Sequence, residues 1–200
     1  MTTGTGSRGA YAKTEARRSE ILRIALEAFS VSGFHGSSLR EIADAAGLSQ
    51  AGVLHHFNSK EALLAAVLAE KDAVSVSHFE EAGGVRFLDA LRGVVAENLA
   101  QPGLIRLFTT LSAEAINDSH PAHAYFQARY TAARMLFAAS LKQGQVDGDV
   151  DPDLDVDLAA ALLIAIMDGL QMQWLLNEDF DMLAAFDAFL TTFRATIGAS

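Results

Sequence analysis

Apolar side chains along this chain recur every three to four positions and almost never alternate, which is the period of helices rather than strands. Ile21, Leu22, Ala25, Ala28 and Phe29 form the first stripe, and Gly33 follows as its C-terminal cap. Ser38-Leu39-Arg40-Glu41 has the form of a capping box, in which a Ser hydroxyl and a Glu carboxylate each take up an amide at a helix start. The second helix then runs to about Ala46, where Gly47 turns the chain. Ser49 caps a third, short helix ending near Phe57, and Ser59 caps a fourth through Glu61, Leu63, Leu64, Val67 and Leu68. Breaks at Gly83-Gly84, Gln101-Pro102, His120-Pro121 and from Gly144 to Pro152 predict further helices over 85–100, 103–117, 121–143, 153–177 and 181–197. Pro102, Pro121 and Pro152 are expected in first helical turns, with Asp151 capping the helix that Pro152 opens. The pattern predicts an all-α chain of about nine helices. Residues 1–13, rich in Gly, Ser and Thr and without periodicity, are expected to be a flexible tail; residues 15–75 and 80–200 are expected to be two domains.

Composition narrows the chemistry. The absence of cysteine excludes disulfides, a thiol nucleophile, zinc–thiolate sites and iron–sulfur clusters. The longest apolar run, Leu158 to Met167, stops at Asp168, well short of the ~20 residues of a membrane span. With no apolar leader at the N-terminus, a cytoplasmic protein is expected. The net charge of −10 is unevenly placed: residues 1–60 carry +2 and residues 61–200 carry −12. The first segment is thus suited to phosphates that the rest repels.

Residues 38–57 read SLREIADAAGLSQAGVLHHF. In a helix-turn-helix the helices cross closely, which needs a small residue on the first and a glycine in the turn four positions later; Ala43 and Gly47 supply them. Leu39, Ile42, Ala46, Leu48, Val53 and Leu54 fit inward positions, leaving Arg40, Ser49, Gln50, Ala51, His55 and His56 outward or at the edge. A short third helix that opens on small polar residues suits a recognition helix whose N-terminal end enters the major groove. Ser37, Ser38, His56 and Lys60 are expected on backbone phosphate, Lys60 aided by the N-terminal end of the fourth helix. Gln50 has the donor and acceptor that match adenine, while Ala51 or Gly52 permits close approach or contact with a thymine methyl. Any one of these residues alone could equally be an ordinary solvated side chain.

Ala25 and Phe29, then Gly33-Phe34-x-x-Ser37-Ser38-Leu39-x-x-Ile42-Ala43-x-x-Ala46-Gly47-Leu48-Ser49, then Leu54-His55-His56-Phe57-x-Ser59-Lys60-Glu61-x-Leu63 resemble the N-terminal DNA-binding domain of TetR-family transcriptional regulators. His55 departs from the pattern, standing where the family commonly has a Tyr whose hydroxyl contacts a phosphate; a His can donate there too. The resemblance implies a homodimeric DNA-binding protein with a divergent C-terminal domain for a small ligand. It does not locate the ligand.

In that second region, residues 153–177 and 181–197 are apolar on more than one face, so a partner helix surface is expected, namely a second copy in a four-helix bundle. Leu162, Ile166, Leu170, Phe186 and Phe189 are the expected interface. Phe108, Leu111, Glu114, Phe126, Tyr130, Met135, Met167, Asp168, Gln171 and Trp174 combine aromatic and soft surface with a few polar groups, the composition of a small-molecule pocket, and equally that of a plain core. A lobe of net charge −12 is expected to disfavour anions and to accept a largely apolar ligand, neutral or cationic.

No cofactor and no metal set are expected. Gly4-x-Gly6-x-x-Gly9 has no strand before it, and Asp147, Asp149 and Asp151 lack the turn glycine and final Glu of a calcium loop. The function expected is a repressor released by its ligand. An activator or a ligand-independent regulator would share every DNA-binding residue. A helical metal hydrolase using Glu114, Asp168 and the histidines is the reading from another class, and no motif supports it.

Overall fold

The computed structural model describes residues 5–77 and 84–198. The chain divides into two compact units, Met1–Glu70 and Lys71–Ser200. The described residues form nine α-helices, and their one β feature is a single antiparallel bridge between Val150 and Gly198.

The first unit holds α1 (Thr5–Gly36), α2 (Leu39–Ala45), α3 (Gln50–His56) and the start of α4 (Lys60–Ser77). α1 begins at Thr5, so residues 5–13 are helical where a flexible tail was expected; residues 1–4 lie outside the described residues. Lengthening a formed helix needs no new nucleus, and Ala10, Ala12 and Lys13 are good helix formers. Near its other end α1 is broken at Gly33, which adopts φ 69°, a conformation that favours glycine. Ile21, Ala25, Phe29, Ile42, Val53, Leu63, Leu64 and Leu68 are fully or nearly fully buried, the inward stripes that the helical period marks.

The second unit holds α5 (Phe87–Leu99), α6 (Pro102–Glu114), α7 (His123–Asp147), α8 (Val156–Leu176) and α9 (Met182–Ile197). α8 packs against α6, α7 and α9, and its Ala159, Ala160 and Leu163 join Phe87, Leu88, Leu91, Leu141 and Phe186 in the core. By length and composition α8 could cross a bilayer, although its longest uninterrupted apolar run falls short.

Three helix ends differ from expectation. Asp155, not Asp151, caps α8: its carboxylate accepts from the Leu158 amide at 3.0 Å, while Asp151 accepts from the Asp153 amide in a local turn. Pro121 lies ahead of α7, whose N-cap is Ala122. α7 also runs on past Gly144 to Asp147 and ends at Gly148, with φ 82°. Gly144 stays within the helix because it must be bare: a Cβ there would lie 2.6 Å from a Val150 methyl.

Candidate nucleic-acid interface and ligand cavity

The turn between α2 and α3 is built as the pattern requires. Gly47 has φ 63°, and the Leu48 amide donates to Ala43 O at 2.9 Å, closing the chain over the small side chain. Ser38 caps α2 in a complete capping box, its hydroxyl donating to Glu41 Oε2 at 2.9 Å and accepting from the Glu41 amide at 3.2 Å. Ser49 caps α3, accepting from the Gly52 amide at 3.1 Å. With its own cap satisfied, α3 leaves Gln50 and Ala51 exposed in its first turn and His55 exposed in its last, with Gly52 and His56 half-buried between. Arg40 stands exposed on α2, 3.9 Å from Asp44. These residues are available to a duplex.

Ser37 and Lys60, both expected on phosphate, are engaged within the chain instead, Ser37 buried and Lys60 half-buried. Ser37 is buried and its hydroxyl donates to Gly33 O at 2.9 Å, taking up a carbonyl left without a helical partner by the break in α1. Lys60 sits 4.4 Å over the Phe34 ring and donates to the carbonyls of Phe34 and Ser37. Desolvation there holds its pKa below the usual lysine value, against the opposing pull of Glu61 and Glu41.

In the second unit, residues of α5, α6, α7 and α8 line a cavity of about 470 Å³, the size of a small-molecule site. Phe108, Phe126, Tyr130, Met167, Asp168 and Gln171 line it as expected. Leu111, Glu114 and Trp174 do not. Leu111 is enclosed with Leu107 in the core, and Glu114 turns to the buried His120, 3.4 Å away. Trp174 is 8% exposed within the core. Asp168, Gln171 and Trp174 looked like one face, but at 100° per residue a step of six leaves Trp174 about 120° away from Asp168. Met135, also expected here, is exposed along an adjoining open groove beside α7.

The sequence reading missed Arg129, whose guanidinium lies 4.8 Å over the Phe108 ring in the cavity wall. The spacing of Phe126, Arg129, Ala133 and Phe137, all lining residues on α7, was the available signal. Beside it the Tyr130 hydroxyl donates to Asp168 Oδ2 at 2.8 Å. Burial first, and then this bond, push Tyr130 up to about 12. Asp168 is exposed at the cavity edge, yet the desolvating wall raises its pKa, and desolvation lowers that of Arg129. The cavity wall thus holds one charged side chain of each sign within a lobe of net negative charge.

The interface residues also sort differently. Leu158, Leu162, Ala165, Gly169, Met172 and Leu176 alternate spacings of four and three along α8 and are all exposed, Leu158 by 58%, Leu162 by 53% and Leu176 by 82%. Ile166, Leu170 and Phe189 are partly buried against the core of their own chain, and Phe186 is wholly within it. The run Leu162, Ile166, Leu170 uses two successive steps of four, which rotate about 40° each off the exposed line and back toward the core.

Comparison with known proteins agrees with this architecture. Residues 21–67 match the model of bacterial regulatory proteins of the tetR family, and residues 86–195 match that of the BetI-type transcriptional repressor C-terminal domain. The transcriptional repressor KstR2 of Rhodococcus jostii is 35% identical over 115 residues, which are 56% of this chain and 48% of that protein, so the match spans about half its length. The transcriptional regulator UidR of Escherichia coli is 28% identical over 190 residues, covering 93% of this chain and 94% of UidR. The structure of Salmonella enterica GusR superposes with a TM-score of 0.74 at 25% identity, over 90% of this chain and 96% of GusR. Matched in both units, the chain belongs to the tetR family of bacterial regulatory proteins and is a transcriptional regulator of the helix-turn-helix type.

Proposed function

We propose that this regulator is a homodimeric repressor, acting in the cytoplasm, that holds an operator duplex through α3 and lets go when a small, largely apolar ligand fills the cavity of its second unit. The observation that carries the reading is the start of α3: capped by Ser49, with Gln50 and Ala51 exposed in its first turn. There Gln50 would read an adenine edge, with Ala51 and Gly52 close enough to meet a thymine methyl. Ser38, Arg40, Ser49, His55 and His56 would hold the sugar–phosphate backbone.

Two half-sites a helical turn apart, about 34–36 Å, require two such heads. The exposed seam of α8 supports the pairing, because a line of Leu, Ala, Gly and Met at heptad-like spacing is what a second α8 would cover. The ligand is read from the cavity wall: Ile105, Phe108, Phe126, Phe137, Ile164 and Met167 suit an apolar body, and Ser112, Arg129, Tyr130, Asp168 and Gln171 suit one polar end. A protein that binds N-terminally and responds C-terminally needs an element common to both units, and α4 contains the boundary between them.

The test is selection of duplexes from a randomised pool by the purified chain. A pseudo-palindrome bound by a dimer, with affinity lowered by apolar compounds that bind the second unit, is expected. Selection of no common sequence would defeat the reading.

A further inference from the structure

Seven cationic side chains lie in the first 60 residues, and charge alone would aim all of them at DNA. Two of them, on consecutive positions of α1, point at the ends of other helices. Arg17 Nη2 donates to the carbonyl of Ala46, the C-cap of α2, at 2.8 Å, and its Nη1 is held by Glu20 at 2.5 Å. Arg18 Nη1 donates to the carbonyl of His56, the last residue of α3, at 3.3 Å, and its guanidinium lies 4.3 Å over the ring of Phe57, the C-cap of that helix. Both arginines are half-buried.

We infer that Arg17 and Arg18 are positioning residues for DNA reading, fastening α1 to the carbonyl ends of α2 and α3 and so fixing the angle at which α3 is presented. The inference rests on α3 being the reading helix, as proposed above. The last carbonyls of a helix have no partner within it and carry its partial negative charge, so a guanidinium is the side chain suited to hold them. α3 is only seven residues long, so what holds its two ends fixes its direction. Ser49 fixes its first turn, and Arg18, stacked and hydrogen-bonded, fixes its last. Arg17 does the same for the helix before the turn. Neither needs to touch the duplex, so neither should contribute to the release of counterions that phosphate contacts cause.

The experiment measures affinity of the full chain for the duplex that the wild type selects and for a scrambled duplex of the same length, each over a range of salt concentrations. Arg17→Gln, Arg18→Gln and Arg18→Lys are compared with wild type, each first shown to be folded by far-ultraviolet dichroism. Arg18→Gln should bind the selected duplex about tenfold more weakly and the scrambled one within about twofold, with the slope of log affinity against log salt unchanged. Arg18→Lys should not restore it, because an ammonium lacks the planar face that stacks on Phe57. Arg17→Gln should repeat the pattern more weakly, and it keeps the inference testable if Arg18 variants do not fold. Equal losses on both duplexes, a slope reduced by about 0.9 and full rescue by Lys would make these residues phosphate contacts and overturn the inference. Unchanged affinity in folded variants would also overturn it, leaving a role in stability alone. A wild type that prefers no duplex would overturn this inference and the proposed function together.

Discussion

The two units meet their polar and apolar obligations in opposite ways. In the first, helices of seven residues end close to one another, and their termini are taken up one by one: Ser38, Ser49 and Ser59 on amides, Ser37, Arg17, Arg18 and Lys60 on carbonyls. These helix ends are met from within the unit, and Gln50, Ala51 and His55 are left outward. In the second, helices of 13 to 25 residues bury a continuous core, and paired arginines tie α5 to α9 through Arg92–Asp187 and Arg194–Asp89. What it leaves exposed along α8 is an apolar line. A partner's chemistry is thus written in what each unit leaves outward.

That contrast can be broken most sharply at the seam. Leu162→Glu places a carboxylate on an exposed line, so the chain should stay folded while dimers dissociate in sedimentation equilibrium. Losing simultaneous engagement of two half-sites should cost about 10²–10⁴ in affinity for the selected duplex. A dimer that persists would move the interface elsewhere. Phe186→Ala tests the other side of the same distinction. Because Phe186 is 0% exposed in its own core, the loss should be about 3–5 kcal/mol of stability in denaturant titrations, with assembly intact wherever the chain is folded.

Smaller effects sharpen the reading of the head. Gln50→Ala should cost about 1–3 kcal/mol on the selected duplex and relax the choice of base at one position, with scrambled DNA unaffected, as competition titrations would show. Ser38→Ala removes a cap and should lower stability by about 1 kcal/mol in thermal denaturation. Lys60→Met should leave the salt slope of DNA binding where it was; a fall of about 0.9 would restore Lys60 to the phosphate contacts.

The sequence disclosed most where a rule is local. Gly47, the capping box at Ser38 and the cap at Ser49 each depend on a few consecutive residues, and each stands where it was expected, whereas Gly33, expected to end the first helix, breaks it ahead of its end at Gly36. Side-chain direction was less legible. Lys60 carries the right charge at the right place for phosphate, but the carbonyls of Phe34 and Ser37 are a nearer partner, which no linear pattern displays. In the second unit small angular errors accumulate: a step of six carries Trp174 off the face of Asp168, and steps of four carry Leu170 off the exposed line. Arg129 is placed in the cavity wall by the Phe108 ring beneath it, a contact between two helices that no linear pattern displays.

Trp174 is the single tryptophan of the chain and lies in the core of the second unit, while the described tyrosine of the first, Tyr11, is 70% exposed. Intrinsic emission excited at the red edge therefore reports one half of the molecule only. Melting followed by that signal tracks residues 71–200, whereas backbone dichroism sums both halves, and the difference between the two curves isolates the head without a label.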